Sequence, residues 1–427
     1  IYHLLIVEPP EGRSVSIGAR TLSGLGYRGM VFWDTEVFIV PMFQYTRPEA
    51  ALRLLQYRGR RIEPMRELAR GIGCTGARAP WESNQDGSEG TEPWTRHHRT
   101  QLHVTAGIGL GIYRYVASTG DIEVLKDGLL ELMLEGSRFW ASRVTRKGDG
   151  YQLLAVCGPD EDHPVVDNNF YTSSFVRWYL RATKELLAEA RAAMPEFVES
   201  LIKRINLTDA ELVEWEQVAE NIFIQKPGDD GVIEQFEGYF KLPRGSKDER
   251  TPDADQTIKQ PDTVMFLRLF PDAYPAEVVK ANHLFYEDRT VHGSSLGAGA
   301  MALVAGRLGM ADHVSKYLKY AARMDLDARH GSGAGVHSAC CGVVYSAVAE
   351  GIAGVRLLRD AVVVNPVPYP DFSKVALNFR WHGKQVHFEM SDGEASVGAL
   401  FDDGEVPVIF HGKEHVLRAG ETLRLGL

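Results

Sequence analysis

Cysteine is scarce in this sequence, and its few cysteines are not arranged for pairing or for metal binding. The chain has four, Cys74, Cys157, Cys340 and Cys341. None forms a C-x-x-C pair, and the adjacent Cys340 and Cys341 have poor geometry for a disulfide with each other. The pattern argues against a disulfide framework and against a structural zinc site. A reducing cytoplasm is the compartment that fits it best, so we expect a cytoplasmic protein.

Long apolar runs and an excess of basic residues are also lacking. No stretch approaches the roughly 18 consecutive apolar residues of a membrane span. With 47 basic and 57 acidic residues, the formal charge is -10, and non-specific nucleic-acid binding needs a basic face instead. We therefore expect neither a membrane nor a nucleic acid as partner. The chain opens on IYHLLIVEPP without an initiator methionine, so we expect that a segment precedes it.

What the sequence has in quantity is helical periodicity. Its 427 residues, of which 44% are hydrophobic, can bury a large core. From about residue 46 to 360 the apolar residues recur at helical spacing, as in DIEVLKDGLLELML (121–134). Thr208 and Glu211 have the spacing of a capping box at the start of a further helix. The central part of the chain is therefore predicted to be all-α.

The pattern changes after the proline-rich stretch VVVNPVPYPDF (362–372). In KVALNFRWHGKQVHFEM, apolar and polar residues alternate on both sides of His382 and Gly383, which is the signature of a β-hairpin. VPVIFHGKEHVLRAGETLRL (406–425) predicts more short strands. We predict a linker segment at 1–20, a helical body at 21–361 and a small C-terminal β-domain at 362–427.

Two segments place a tryptophan next to a carboxylate. They are GYRGMVFWDTEVF, with Trp33 and Asp34, and ARAPWESNQDGSEGTEPW, with Trp81 and Glu82. The flat side of a sugar ring packs on an aromatic face, while Asp and Glu accept hydrogen bonds from neighbouring hydroxyls. The alternative is packing followed by a helix cap. Two such pairs together with an acid-rich loop favour the sugar-binding interpretation.

That acid-rich loop is AVCGPDEDHPVVDNNFYT (155–172). A solvated acidic loop is the ordinary interpretation, and a catalytic acid at Glu161 is the functional one. An acid that must carry a proton near neutral pH needs a desolvated or anionic setting. We expect the neighbouring Asp160 and Asp162 to provide it.

A different chemistry is indicated by FYEDRTVHGSSLG (285–297), where His292, Ser294 and Ser295 stand where a helix should begin. Serine hydroxyls and free N–H groups at a helix N-terminus bind anions, and His292 could add positive charge. An ordinary N-cap is the alternative.

Two further positions have a functional and an ordinary interpretation. His337 follows a glycine run and opens a helix, so alone it is a core or capping residue or else a ligand. Lys259 and Gln260 precede a proline that begins a helix. They form either a solvated turn or a pair that holds two sugar hydroxyls.

Taken in order, these motifs resemble glycoside hydrolase family 65, the inverting disaccharide phosphorylases that include maltose, kojibiose, nigerose and trehalose phosphorylases. The matching stretches are GYRGMVFWDTE, PWES, TGD, DGY, GPDE, VDNNFYT, IEQFEGYF, KQPD, FYEDRTVHGSSL and GVHSA. They span about residues 20–355. The resemblance implies a mainly α fold, an (α/α)6 barrel followed by a C-terminal β-sheet domain. The resemblance also implies an N-terminal β-sandwich in the family, which we expect to be absent from this chain.

The resemblance also implies an activity, in which an α-glucoside and inorganic phosphate give β-glucose 1-phosphate. Glu161 would be the general acid. Glucose would be held by Trp33, Asp34, Trp81, Glu82, Lys259 and Gln260, and phosphate by His292, Ser294, Ser295 and His337. Because phosphate brings its own nucleophilic oxygen, a phosphorylase can dispense with the base of an inverting hydrolase. The implied partners are a sugar and phosphate, with no metal or organic cofactor, and the implied assembly is a homodimer.

The sequence departs from the family at Gly107, Asp162 and Gly293, where an acidic residue, Tyr and Asp are usual. These departures leave the acid and the sugar-binding residues intact and the acceptor sugar open. Two other functions stay open. One is an inverting α-glucoside hydrolase, for which Glu287 is the nearest candidate base, and the other is a non-catalytic sugar-binding protein.

Overall fold

The computed structural model describes residues 1–247, 251–327 and 332–427. The helices are α1 (Tyr2–Leu5), α2 (Val40–Thr46), α3 (Pro48–Gly59), α4 (Ile62–Gly71), α5 (His97–Thr100), α6 (Val104–Thr119), α7 (Leu129–Arg143), α8 (Phe170–Ala193), α9 (Pro195–Ile205), α10 (Asp209–Asn221), α11 (Asp262–Leu269), α12 (Ala276–Glu287), α13 (Gly297–Arg307), α14 (Ala311–Ala322) and α15 (Ser338–Ser346). The strands are β1 (Thr145–Lys147), β2 (Gly150–Gln152), β3 (Val355–Leu357), β4 (Val362–Val364), β5 (Lys374–Trp381), β6 (Lys384–Ser391), β7 (Glu394–Ala399), β8 (Glu405–Phe410), β9 (Lys413–Arg418) and β10 (Thr422–Gly426).

Six helices form a closed inner ring. Each helix packs on the next in the order α2, α6, α8, α11, α13 and α15. The ring closes because α15 contacts α2 and the π-helical turn Thr35–Ile39 that precedes α2. Nearly every residue of α6 and α13 is buried, as expected of helices that are apolar on all sides. Helices α3, α7, α10, α12 and α14 cover the ring from outside, and α1 contacts α15. The (α/α)6 barrel is confirmed.

The outer helices are amphipathic, and α10 begins where the sequence predicts, whereas the helical spacing from residue 121 is divided into a 3-10 turn at Glu123–Lys126 and α7, which begins at Leu129. In α14, Val314, Leu318 and Ala321 are buried on one face. At the start of α10, the Glu211 backbone N–H donates to Thr208 Oγ1 at 3.3 Å, and the Thr208 N–H donates to Glu211 Oε2 at 2.9 Å. The capping box is therefore confirmed. No helix within the described ranges is long and apolar enough to cross a membrane.

The C-terminal strands form two four-stranded sheets, with strand orders β10-β7-β6-β5 and β3-β4-β8-β9. The predicted hairpin is β5–β6, with Trp381 opposite Lys384. His382 and Gly383 have φ of 46° and 77°, the left-handed conformation that a two-residue hairpin turn requires. The Tyr45 hydroxyl donates to the Val355 carbonyl at 2.8 Å and ties the sheets to the barrel. The domain limits at 21 and 362 stay predictions.

The order of the ring explains why the candidate residues meet. The loops that carry them lie directly before the inner helices: Trp33 and Asp34 before α2, Glu161 before α8, Lys259 before α11, Ser294 before α13 and His337 before α15. Because a closed α/α ring returns through its outer helices, the inner helices run parallel and their N-termini meet at one end. That end collects residues more than 300 positions apart in the chain.

Candidate active site

A cavity of about 490 Å³ opens at this end of the ring. Ten of the eleven predicted site residues line it: Glu161, Trp33, Asp34, Trp81, Lys259, Gln260, His292, Ser294, Ser295 and His337. Glu82 does not. Its carboxylate lies 3.5 Å from Nη2 of Arg28, outside the lining. The structure thus brings together the predicted catalytic acid, the sugar-binding set without Glu82 and the anion-binding set, whose roles stay predictions.

Glu161 contacts the residue that was expected to hold the sugar. Lys259 Nζ forms an ion pair with Glu161 Oε2, and about a fifth of each side chain is exposed. The backbone N–H of Lys259 donates to a different carboxylate, Asp160 Oδ1, at 2.8 Å. A sugar hydroxyl that binds Lys259 would therefore compete with the carboxylate of Glu161.

The loop that presents Glu161 is held from below by Asp160, which is 1% exposed. Asp160 Oδ2 accepts from His163 Nδ1 at 2.7 Å and from Gln235 Nε2 at 3.1 Å. Burial raises the pKa of Asp160, while the hydrogen bond from His163 opposes the rise. Buried donors beneath the loop thus occupy the oxygens of Asp160, and the expectation that Asp160 and Asp162 provide the setting of a protonated Glu161 stays a prediction.

Asp262, at the start of α11, joins this network from the other side. Its Oδ1 accepts from the Asp160 N–H at 2.6 Å, and its Oδ2 accepts from Asn169 Nδ2 at 2.7 Å. Burial, followed by the charge of Asp160, raises the pKa of Asp262. A Cβ at Gly158 would overlap Asp262 Oδ2. The glycine, the two aspartates and the asparagine of three separate motifs are thus parts of one buried network.

The two tryptophans are more enclosed than a stacking platform would be. Trp33 is 2% exposed and Trp81 is 5% exposed. Both rings pack edge-on against His103, at centroid distances of 4.9 and 5.6 Å. Burial lowers the pKa of His103 to about 3, so this imidazole is neutral. Both tryptophans therefore line the cavity with little exposed surface, and stacking of a sugar on their faces stays a prediction.

Asp34 supplies a second carboxyl group to the cavity. Burial raises its pKa to about 7, backbone hydrogen bonding opposes this, and the charge of Glu161 raises it further. Arg20 acts in the opposite direction. Near neutral pH, Asp34 is therefore divided between a form that donates a hydrogen bond and a form that only accepts.

The anion-binding side begins at the N-terminus of α13. Ser294 Oγ accepts from the Leu296 N–H at 3.2 Å, but Leu296, not a serine, occupies the N-cap position of α13, so the ordinary N-cap interpretation is wrong. His292 has a φ of 51°, and burial lowers its pKa to about 4. A neutral His292 adds no positive charge at pH 7, and that expectation is wrong.

His337 caps α15 and is oriented by Asp325. The ring Nδ1 lies 2.6 Å from Asp325 Oδ1, and the His337 backbone N–H donates to Asp325 Oδ2 at 3.0 Å. Burial raises the pKa of Asp325, but these hydrogen bonds outweigh it and the pKa is lowered. A carboxylate on Nδ1 leaves Nε2 as the ring atom available to a ligand.

Arg20 is a cavity residue that motif reasoning missed. Its guanidinium donates to the Gly335 carbonyl at 3.0 Å, and Nη1 lies 3.0 Å from His337 Nδ1. Its Nε is buried without a hydrogen-bond partner in the described part of the chain. The available signal was charge: an anion site needs a fixed cation, and Arg20 stands at the start of the loop that leads to Trp33. The half-exposed Tyr27 beside it was also missed.

Two absences concern the alternatives. Glu287, the candidate base of a hydrolase, does not line the cavity; it pairs with Lys316 at 2.6 Å and bonds Tyr317. Burial would raise its pKa, but these partners hold it at about 2.

Within residues 1–247, 251–327 and 332–427, no group of three or more His, Cys, Asp or Glu side chains could hold a metal ion.

Comparison with known proteins gives consistent results. The model of the glycosyl hydrolase family 65 central catalytic domain matches residues 1–346. Kojibiose phosphorylase of Caldanaerobacter subterraneus subsp. tengcongensis is 33% identical over 98% of this chain and 58% of its own length. For 1,2-alpha-glucosylglycerol phosphorylase of Bacillus selenitireducens, the identity is 32% over 86% of this chain and 52% of its own length. The alpha,alpha-trehalose phosphorylase of Thermoanaerobacter brockii is 29% identical over 98% and 56%.

The fold has a solved counterpart. A structure named as a kojibiose phosphorylase from human microbiome superposes with a TM-score of 0.89 at 22% identity, over 97% of this chain and 63% of that one. At this identity, the superposition supports the barrel and the C-terminal sheets alone. The chain spans little more than half the length of the curated relatives that it matches.

Proposed function

The chain belongs to glycosyl hydrolase family 65, and on that premise we propose that it carries the catalytic centre of an inverting phosphorylase. The proposed reaction cleaves an α-glucosidic disaccharide or glucoside with inorganic phosphate and yields β-glucose 1-phosphate. The supporting observation is a single cavity that joins Glu161 to the Ser294–Ser295 helix start, His337 and Arg20. Relatives named as phosphorylases over nearly the whole chain agree with this proposal.

In the proposed mechanism, Glu161 gives its proton to the glycosidic oxygen as the bond from that oxygen to the anomeric carbon breaks. A phosphate oxygen attacks the same carbon from the opposite face, which inverts its configuration. The acceptor leaves with the proton of Glu161, and the proton that phosphate carried into the site restores the acid. General acid catalysis of this kind contributes about 10²–10⁴-fold to the rate.

The glucose side of the cavity supports this geometry. Lys259 contacts Glu161, and the same ammonium group can donate to ring hydroxyls in competition with that carboxylate. Gln260 has a buried Oε1 without a hydrogen-bond partner among the described residues, which leaves an acceptor for a hydroxyl. The buried network fixes the position of Lys259 relative to Glu161. A sugar held by Lys259 therefore has its glycosidic oxygen within reach of the acid.

The phosphate side supports a phosphorylase because it is built for an anion. Serine hydroxyls stand at the N-terminus of α13, an eleven-residue helix, and the helix dipole favours negative charge there. Arg20 adds a fixed positive charge, and a guanidinium matches phosphate in a bidentate manner. His337 lines the same side of the cavity. A cradle of this kind replaces the base that a hydrolase needs.

The second candidate is an inverting α-glucoside hydrolase, and Asp34 is the observation that favours it. A hydrolase needs a base carboxylate about 6.5–9.5 Å from the acid, with room for a water. Asp34 and Glu161 both line the cavity and interact electrostatically. The anion-binding side, for which hydrolysis has no use, makes phosphorolysis the better-supported function.

The rest of the proposal follows from the reaction. It needs no metal or organic cofactor, because phosphate supplies the nucleophile and Glu161 supplies the proton. We assign the protein to the cytoplasm, where phosphate is abundant and free cysteines persist. A homodimer is the proposed assembly, and the acceptor lies among sugars and polyols joined to glucose by an α-linkage.

The decisive experiment measures glucose 1-phosphate and free glucose from kojibiose, nigerose, maltose, trehalose and 1,2-α-glucosylglycerol, each with and without phosphate. Phosphate-dependent glucose 1-phosphate is the expected result, and the substrate used identifies the acceptor. Glucose released equally without phosphate would establish the hydrolase instead. Sugar binding without turnover would leave the non-catalytic interpretation.

A further inference from the structure

The turn that follows Trp33 and Asp34 is a π-helix, Thr35–Ile39, and all five of its residues are buried. The Val40 backbone N–H donates to the Thr35 carbonyl, five positions earlier. Single turns of this kind are rare and occur frequently at functional sites. Because the turn begins directly after two proposed sugar-binding residues, the side chains that hold it bear on the geometry of the cavity.

The outer side of the turn is bound by Arg58 of α3. Arg58 Nε donates to Glu36 Oε1 at 2.7 Å, and Arg58 Nη2 donates to Glu36 Oε2 at 3.2 Å. The same Nη2 donates to the Phe32 carbonyl at 3.1 Å. Arg58 therefore holds the chain on both sides of Trp33 and Asp34.

This ion pair is fully enclosed, since the side chains of Arg58 and Glu36 are both 0% exposed. A buried ion pair adds little stability over apolar residues of similar volume. Its two parallel hydrogen bonds, however, fix the relative geometry of the two groups. What Arg58 and Glu36 contribute is therefore orientation of the chain between them and the cavity.

A second buried arginine holds the turn from the other side. Arg268 belongs to α11, which stands opposite α2 in the ring, and its Nη2 donates to the Val37 carbonyl at 2.6 Å. Its guanidinium lies 4.4 Å from the ring centroid of Phe38. The Thr35 hydroxyl donates to the Ile17 carbonyl at 3.2 Å. The turn is thus fixed by an outer helix, by the opposite inner helix and by the segment that precedes the barrel.

Asp34 depends on this turn for its direction. Its carboxyl lines the cavity, and no other side chain in the described part of the chain donates a hydrogen bond to it. The backbone therefore decides where the carboxyl points. That backbone is the stretch that Arg58 and Arg268 hold.

We propose that Glu36, Arg58 and Arg268 are positioning residues of the glucose subsite, which act through the π-turn to orient Asp34 toward the sugar. This role rests on the proposed function, in which Asp34 binds the glucose unit. None of the three lines the cavity, so they do not touch the substrate. The anion-binding residues lie before α13 and α15, and their geometry should not depend on the turn.

The test is the double variant Glu36→Leu with Arg58→Met, which removes the hydrogen bonds without leaving an unpaired buried charge. Steady-state phosphorolysis is measured on the α-glucoside that wild type cleaves fastest among kojibiose, nigerose, maltose, trehalose and 1,2-α-glucosylglycerol. The KM for the α-glucoside should rise about tenfold or more, as for loss of a charged hydrogen bond, while the KM for phosphate stays within about twofold.

The matched control is another ion pair of α3. Arg53 pairs with Glu8 and donates to the Pro9 carbonyl at 2.7 Å, which is the same combination of contacts away from the cavity. Glu8→Leu with Arg53→Met should keep both KM values. The proposal is overturned if the Glu36 and Arg58 variant folds and keeps the wild-type KM for the α-glucoside. Equal increases of both KM values, or the same increase in the control, would reduce the pair to a structural role.

Arg58→Lys gives a second readout that does not need turnover. It keeps both charges, but an ammonium group lacks the planar fork that binds Glu36 and the Phe32 carbonyl together, so the turn should loosen and admit water. Burial is the main cause of the raised pKa of Asp34, about 7 in wild type. Carbon-13 NMR of the Asp34 carboxyl should therefore detect a lower pKa in Arg58→Lys.

The NMR result also separates this proposal from the proposed function. An unchanged pKa of Asp34 in Arg58→Lys would overturn the positioning role whatever the activity of the wild type. A lowered pKa in a protein that releases no glucose 1-phosphate from any of the five substrates would support the positioning of Asp34 and count against phosphorolysis alone.

Discussion

The two walls of the cavity around Glu161 are built differently. The acid wall, Glu161 with Lys259, rests on Asp160, whose two oxygens accept four hydrogen bonds of 2.7–3.3 Å, from His163, Gln235, Lys259 and Asp162. The anion wall, Ser294 and Ser295 with His337 and Arg20, retains unused donors, such as the buried Nε of Arg20. A proton donor must be held in place before it acts, whereas a binding site needs donors that its own chain has not used.

The largest expected effect is on the acid wall itself. Glu161→Gln keeps the shape of the side chain and removes the proton, so the kcat of phosphorolysis should fall by about 10²–10⁴-fold. Binding of the disaccharide, followed by calorimetry, should change little. Glu287→Gln is the matched control outside the cavity. Equal activity losses in both variants would remove Glu161 from its proposed role.

The next prediction concerns the buried network that supports the loop of Glu161. Asp160→Ala removes one partner of a buried charged pair and leaves His163 and Gln235 without an acceptor. The free energy of unfolding should drop by about 3–5 kcal/mol, as measured by denaturant titration. The exposed Asp149→Ala should cost almost nothing. A stable Asp160→Ala with wild-type activity would show that the network is not what positions the acid.

The walls also differ in how far the sequence could predict them. The barrel, the hairpin and the cavity-lining role of ten residues followed from periodicity and from ordered motifs. The role of Asp160 could not be predicted in this way. The sequence next to a catalytic acid is the same whether the neighbouring carboxylate faces the acid or lies in the buried network under its loop. Only the partners His163, Gln235 and Asp262, up to 102 positions away, distinguish the two.

Burial was the other missing quantity. His292 has the right residue type for a cation, but its protonation depends on desolvation that local spacing does not encode. Glu82 follows Trp81 in the motif, yet its carboxylate pairs with Arg28 outside the cavity lining. Arg20 was missed because its partners Gly335 and His337 lie more than 300 residues away.

On the anion wall, a smaller effect is expected from Arg20. Arg20→Met keeps most of the side-chain length and removes the fixed charge, so the KM for phosphate should rise about tenfold or more, in line with about 1.5–3 kcal/mol for a charged hydrogen bond. The KM for the disaccharide should change less. Arg13→Met is the control. An unchanged KM for phosphate would mean that the serines and His337 bind the anion without a contribution from Arg20.

The effect expected of Asp34 depends on pH, and it reports on both walls. Its pKa of about 7 lies above the roughly 3.9 of an unfolded chain. Between these values the folded state binds more protons than the unfolded one, so this group makes the protein less stable as pH rises from about 4 to 7. Asp34→Asn lacks that dependence. The stability of wild type relative to Asp34→Asn should therefore fall with pH, by at most about 1.4 kcal/mol per unit.

The same titration distinguishes the walls, because Glu161 raises the pKa of Asp34 and Arg20 lowers it. Carbon-13 NMR of the Asp34 carboxyl should detect a lower pKa in Glu161→Gln and a higher one in Arg20→Met. Phosphate bound at the anion wall adds negative charge and should raise it, so that Asp34 becomes a neutral donor to the sugar as the second substrate arrives. A pKa that phosphate leaves unchanged, while both variants shift it, would place the bound anion beyond the electrostatic reach of Asp34 and count against the proposed cradle.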